Sequence, residues 1–177
     1  MKETLDWGIH ILIAVLLGFF IVSFVGQRTV VNGASMEPTL HNGDQLIIEK
    51  ISPRFGRLHR GDIITIDVKD YKEVPESPLI KRVIGLEGDN IEIKDGKVYV
   101  NGEEFKEDYI NGNNTDIIED KYSNITVPKG EVFVMGDNRL PGGSLDSRKI
   151  GPLDLKRVGG RAILRFYPFG KFGTLKK

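Results

Sequence analysis

The sequence predicts a mostly β protein: one N-terminal transmembrane helix followed by a β-sheet body. Three observations point to it. Residues 7–27 carry no formal charge. Beyond them, short runs rich in Val, Ile and Phe alternate with Gly, Pro, Asn and Asp. No long stretch with a 3.6-residue apolar period follows the first segment.

The apolar segment comes first. "WGIHILIAVLLGFFIVSFVGQ" fills the 21 positions between Asp6 and Arg28. As a helix it covers roughly 30 Å, the thickness of a hydrocarbon core. Trp7 suits the membrane interface. A cleaved leader would want a basic start, a shorter apolar core and a small-residue cleavage site. Here "MKETLD" is mixed in charge and "VSFVGQ" is a poor site, so the segment reads as a retained anchor. Lys2 and Arg28 nearly balance across it, and the flanks encode orientation only weakly.

Strands follow in order. "QLIIEK" (45–50), "DIITIDV" (62–68), "LIKRVIGL" (79–86), "NIEIK" (90–94), "KVYV" (97–100), "EVFVMG" (131–136) and "RAILRFY" (161–167) are β-rich runs bounded by turn residues. Asp95-Gly96 joins two alternating runs, the signal of a type I′ hairpin, and Asn101-Gly102 marks another turn. Residues 103–124 are polar and acidic and read as a loop or peripheral insertion.

Composition narrows the function. Lys plus Arg (25) equals Asp plus Glu (25), which argues against a nucleic-acid binder. The absence of Cys excludes disulfides, Cys-ligated zinc and a cysteine nucleophile. His10, His41 and His59 form no H-E-x-x-H pattern, and no acidic loop has the EF-hand order. No metal and no cofactor is expected.

Three stretches could carry chemistry. "GASMEPTL" (33–40) places Ser35 a few residues beyond the anchor. A serine hydroxyl hardly ionises at neutral pH and needs a base beside it. His41 and His59 are candidates, but neither has an evident orienting carboxylate. Lys81 is a better one. In a strand, Lys81 and Arg82 point to opposite faces, so one of the two cations meets an apolar environment. Burial lowers a lysine's pKa and leaves an amine able to take a proton. The bland alternative is an edge strand with both cations snorkelling to water. The third stretch, "GDNRLPGGSLDSRKIG" (136–151), is either a solvated loop or a cluster in which Asp146 pairs with Arg148 and Ser144 shares their face.

Taken together, these stretches resemble the bacterial type I signal peptidases in their short Gram-positive-type form. "GASMEPTL" resembles the family's S-M-x-P-T-L box. "RGDIITIDV" (60–68) resembles the next strand, "LIKRVIGLEGD" (79–89) the lysine box, and "GDNR" with "SLDSRKIG" the last box. The resemblance implies a membrane-bound serine endopeptidase that removes signal peptides from secreted preproteins, cutting after Ala-x-Ala-type sequences with a Ser/Lys dyad. It implies Ser35 as nucleophile and Lys81 as general base, then general acid. Ser144 would orient the lysine amine, and Asp146 and Arg148 would brace the site. Val31, Met36, Leu40 and Ile80 fall where the family lines its small-residue pockets. The Ser35 N–H is implied as an oxyanion donor, and the substrate as an extended strand. The implied organisation is a tail (1–6), the anchor (7–27), a catalytic β core (28–88 and 131–177) and a smaller inserted β domain (89–130). The implied setting is the plasma membrane, single-pass, with the body on the extracytoplasmic side. Partners would be preproteins and the lipid bilayer, near the secretion translocon, and no nucleic acid.

Two features depart from the family pattern. Four residues, "LPGG", separate Arg139 from Ser144 where the family has two. Gly33 stands where another branch has a serine that completes the oxyanion hole. Two other readings remain at this level: a non-catalytic membrane-tethered β domain, and a self-cleaving repressor-like Ser/Lys peptidase.

Overall fold

The structure is a computed structural model that describes residues 2–20, 26–71, 78–112 and 114–175. Helix α1 (Lys2–Phe20) is apolar on every side from Trp7 onward, and Ile11, Val15 and Phe19 are all exposed. Residues 21–25 of the expected span lie outside the described residues. Among the described residues, no helix is long and apolar enough to cross a membrane. Gly26 and Gln27, expected to end the span, instead open strand β1 (Gly26–Val30).

The body is built on β1, β2 (Gln45–Glu49), β3 (Ile63–Ile66), β4 (Leu79–Gly85), β5 (Asn90–Lys94), β6 (Lys97–Val100), β7 (Glu103–Glu104), β8 (Asn124–Thr126), β9 (Glu131–Met135), β10 (Leu153–Asp154), β11 (Val158–Tyr167) and β12 (Gly173–Thr174). Two short helices, α2 (Ile51–Arg54) and α3 (Ser147–Ile150), interrupt them. An eight-stranded sheet runs β1-β2-β11-β3-β4-β9-β10, with β12 added to β11. Irregular register along β11 lets this long strand serve β2 and β3 at once, because bulges bend and twist a strand.

A second sheet of four strands runs β7-β6-β5-β8. Its central hairpin turns at Asp95 (φ 50°) and Gly96 (φ 75°), both left-handed as a type I′ turn demands. Ile84, Phe133 and Met135 from the large sheet share one buried cluster with Ile91, Ile93, Val98 and Val100 from the small one. The two sheets therefore pack on common apolar contacts, and the small sheet sits against the strands that carry the functional side chains.

Strand β4 is the central element for function. Lys81 is paired in register with Ile64, and Arg82 with Ile63 on one side and Met135 on the other. The strand is interior, so neither cation has an edge from which to reach water. Both side chains are buried, at 2% and 0% exposure.

Candidate active site

The loop between β1 and β2 presents Ser35. Its two ends are tied together where Val31 N–H donates to Asp44 O at 2.8 Å and Gly43 N–H to Val31 O at 2.9 Å. Met36 and Leu40 are buried among Val31, Leu46, Ile48, Ile63 and Ala162, which pins the loop to the sheet. Gly33 has φ +84°, and its N–H donates to Asn42 Oδ1 at 2.9 Å.

Lys81 Nζ lies 2.7 Å from Ser35 Oγ and donates to Ile80 O at 3.0 Å. Burial lowers the Lys81 pKa from 10.5 to about 8, more than the neighbouring carboxylates of Asp146 and Asp137 raise it. His41 and His59 stand elsewhere: His41 Nδ1 is 3.4 Å from Lys171 Nζ, and His59 Nδ1 is 3.7 Å from Asp62. Neither ring touches Ser35. Among the described residues, no group of acidic or His side chains could hold a metal ion.

The segment 136–148 closes the site from the other side. Asp146 accepts from Arg148 Nε and Nη2, both at 2.9 Å, and from the Gly136 N–H at 3.0 Å. Burial pushes the Asp146 carboxyl up, but these donors hold it below the usual carboxylate range. Asp146 also caps α3 by accepting from the Arg148 N–H. Ser144 is buried against Gly136; its Oγ lies close enough to Asp146 to help keep that carboxyl charged, but among the described residues it makes no hydrogen bond of good geometry. It makes no bond to the lysine amine. Gly136 must be glycine, since a Cβ there would sit 2.3 Å from Ser144 Oγ and 2.4 Å from Ser35 O.

Of the four residues expected to line a pocket, Val31, Met36 and Leu40 are core residues beneath the loop. Only Ile80 borders the groove beside Ser35. That groove has a volume of about 330 Å³ and is walled by Arg28–Val30 and Asn32 on one side and Pro78–Ile80 on the other.

Sequence reasoning missed three partners. Asp137 forms a two-pronged ion pair with Arg82, at 2.8 and 2.6 Å, in a fully buried position. Glu107 pairs with Arg139, whose Nη1 also donates to Thr115 Oγ1 at 2.6 Å. Tyr109 covers Arg82, with the guanidinium carbon 3.8 Å from the ring centre. Burial pushes the Tyr109 phenol far up, so it stays neutral. The one signal was the acid within "GDNR"; nothing in 103–124 marked Glu107 or Tyr109 as partners of the last box.

The family model described as "Signal peptidase, peptidase S26" matches residues 4–167. Signal peptidase I of Bacillus licheniformis is 39% identical over 96% of this chain and 92% of its own. Signal peptidase I T of Bacillus subtilis (strain 168) is 37% identical over 97% of this chain and 90% of its own. Signal peptidase IB of Staphylococcus aureus (strain N315) is 33% identical over 97% and 93%. A crystal structure of a signal peptidase I from Enterococcus faecalis V583, at 32% identity, covers 59% of this chain and 95% of its own, with a TM-score of 0.48. A family match spanning all three chemistry-bearing stretches, with relatives aligned nearly end to end, means that this chain belongs to the signal peptidase family, peptidase S26.

Proposed function

We propose that the protein removes signal peptides from secreted preproteins with Ser35 as nucleophile and Lys81 as its base. As a member of its family it is a serine peptidase, a hydrolase that acts on signal peptides. The observation that carries the assignment is the 2.7 Å approach of a buried, pKa-lowered amine to a serine hydroxyl. Ser35 Oγ attacks the scissile carbonyl carbon while its proton passes to Lys81 Nζ. The resulting ammonium gives that proton to the nitrogen of the departing mature chain, and the signal peptide remains as an ester on Ser35. Lys81 then takes a proton from water as that water attacks the ester, and returns it to the departing Ser35 Oγ, which releases the signal peptide and restores both groups. The Ser35 N–H, without a bond among the described residues, is the oxyanion donor. The Gly33 N–H is already held by Asn42. Asp146 and Arg148 brace the wall behind the lysine, and Ser144 is left with a hydroxyl to offer the amine as the site tightens around substrate.

The substrate lies extended in the groove between Arg28–Asn32 and Pro78–Ile80, with small side chains before the cut. The groove ends on the dyad, and Val31, Met36 and Leu40 shape it from beneath. Residues 89–130 form an inserted lobe on the catalytic core. The apolar segment that begins at Trp7 anchors the chain in the plasma membrane, with the body on the extracytoplasmic side and near the translocon. The support for the anchor is helix α1, on which the apolar side chains of Trp7, Ile11, Val15 and Phe19 are all exposed.

The test is cleavage of a preprotein by the detergent-solubilised chain, with the cut position read by mass spectrometry. Ser35→Ala and Lys81→Ala should each abolish cleavage, and the double variant should be no worse than either. Normal cleavage by either single variant sinks the assignment. For the anchor, protease added to intact spheroplasts should reach the body; protection until permeabilisation reverses the orientation.

A further inference from the structure

We propose that this chain has an apolar subsite on the leaving side of the scissile bond, made by Ile117, Ile118, Leu140 and Pro141. It takes an apolar side chain from the first three residues of the released mature protein. This rests on the Ser35–Lys81 reading above.

A second cavity, of about 240 Å³, opens beside Ser144, between segment 116–118 and the tip 140–142. It shares no lining residue with the groove that holds Ile80 and Asn32. Ser144 borders it, and Ser144 Oγ and Ser35 O both pack on the bare Cα of Gly136. Gly136 thus links the second hollow, through Ser144, to the carbonyl of the nucleophile. A chain that enters along Pro78–Ile80 and is cut at Ser35 leaves toward the second hollow.

The rim is apolar and open. Ile117, Ile118 and Leu140 are 46%, 42% and 47% exposed, yet they come from two separate segments and converge on one opening. The charged lining residues already have partners, and Asp116 accepts from the Asn114 amide at 2.7 Å. Arg148 is paired with Asp146, and Arg139 with Glu107. An uncharged, apolar side chain is what such a rim recognises.

The rim is also held in place relative to the nucleophile. The Asn138 amide donates from Nδ2 to Ala34 O at 3.1 Å and accepts at Oδ1 from the Leu140 N–H at 3.3 Å. One side chain thus joins Leu140 to the Ser35 loop. Gly143 N–H closes the tip onto Leu140 O at 2.8 Å, and the Leu140 side chain lies over Gly112. On the other side, Glu119 N–H donates to Arg148 O at 3.2 Å, fixing the end of segment 116–118. Leu140 and Pro141 belong to the stretch "LPGG" that separates Arg139 from Ser144.

The experiment uses the full-length chain in detergent and signal-peptide substrates identical up to the cut. Each of the first three positions beyond it carries Leu or Ser in turn. Leu at one of them should raise kcat/KM about tenfold over Ser. Leu140→Ser combined with Ile117→Ser should shrink that preference to twofold or less and leave the Ser substrate unchanged. If the double variant melts early, Ile118→Ser replaces it, with the same expected loss of preference. Equal cleavage of all substrates by the wild type overturns the subsite alone. So does a variant that slows both substrates by the same factor. A wild-type chain that cuts none of them overturns the dyad reading, and the subsite with it.

Discussion

The main-chain N–H of Asn138 donates to the carbonyl oxygen of Ser35 at 3.1 Å, so a residue of the last box holds the peptide of the nucleophile. The side chain adds the bond to Ala34 O. Asn138→Ala keeps the main-chain bond and loses the side-chain bonds to Ala34 O and from the Leu140 N–H. A net hydrogen bond contributes about 1 kcal/mol. The expected outcome is a stability loss of that order and a fall in kcat of about tenfold, as the hydroxyl wanders from the amine. An unchanged kcat on a signal-peptide substrate would show that the backbone bond suffices.

Lys81 predicts a pH dependence with a definite sign. Its pKa is about 8 when folded and 10.5 ordinarily. Only the neutral amine accepts the serine proton, so kcat/KM should climb through pH 8 and then level off. Between about 8 and 10.5 the unfolded chain binds more protons, so stability rises with pH over that window. Below it, the buried ammonium costs about 3 kcal/mol. Lys81→Met should therefore be inactive yet melt several degrees higher at pH 7, and the gap should narrow toward pH 10. Identical melting at both pH values would contradict a buried, shifted lysine.

Gly33 tests why a glycine stands there. Its φ is +84°, and a Cβ would meet nothing within 4 Å. The penalty on a side chain is thus conformational rather than steric, about 1–2 kcal/mol. Gly33→Ala and Gly33→Ser should both lose about that much stability and some activity, and Gly33→Asn should lose least. A serine variant that outperforms the wild type in kcat would instead point to a missing oxyanion donor.

The Arg82–Asp137 pair is fully buried. Removing one partner leaves an uncompensated charge in the interior and costs about 3–5 kcal/mol. Asp137→Asn and Arg82→Met should each unfold well below the wild type in chemical denaturation. The double variant Arg82→Met/Asp137→Leu should recover a large part of the loss. Strictly additive losses would show that the two side chains act apart.

Much of this was legible in the sequence because local chemistry and global fold agree there. Alternation in "IKRV" on a central strand forced two cations to opposite faces, and the structure gives each a separate buried environment. Asp95-Gly96 asked for a left-handed turn and has one. Strand β1 was not legible: "GQRTV" holds few β formers, and its pairing with β2 comes from sheet closure rather than propensity. The sequence shows that Val31, Met36 and Leu40 are apolar and near the nucleophile, but not that they pack in one buried cluster with Ile80. Glu107 and Tyr109 sat in a polar stretch whose partners lie about thirty residues away, and no periodicity encodes such a contact.

The Glu107–Arg139 contact limits how far the chain can be trimmed. Deleting the polar stretch after β7 to obtain a smaller peptidase would remove Glu107, Tyr109 and Thr115 together. The Arg139 guanidinium, 1% exposed, would then sit in a dry interior without its ion-pair partner, one residue from the amide that clamps Ser35. Any shortened version must neutralise Arg139 in the same step. Gene-length changes in this segment and substitutions at position 139 are therefore expected to travel as a pair.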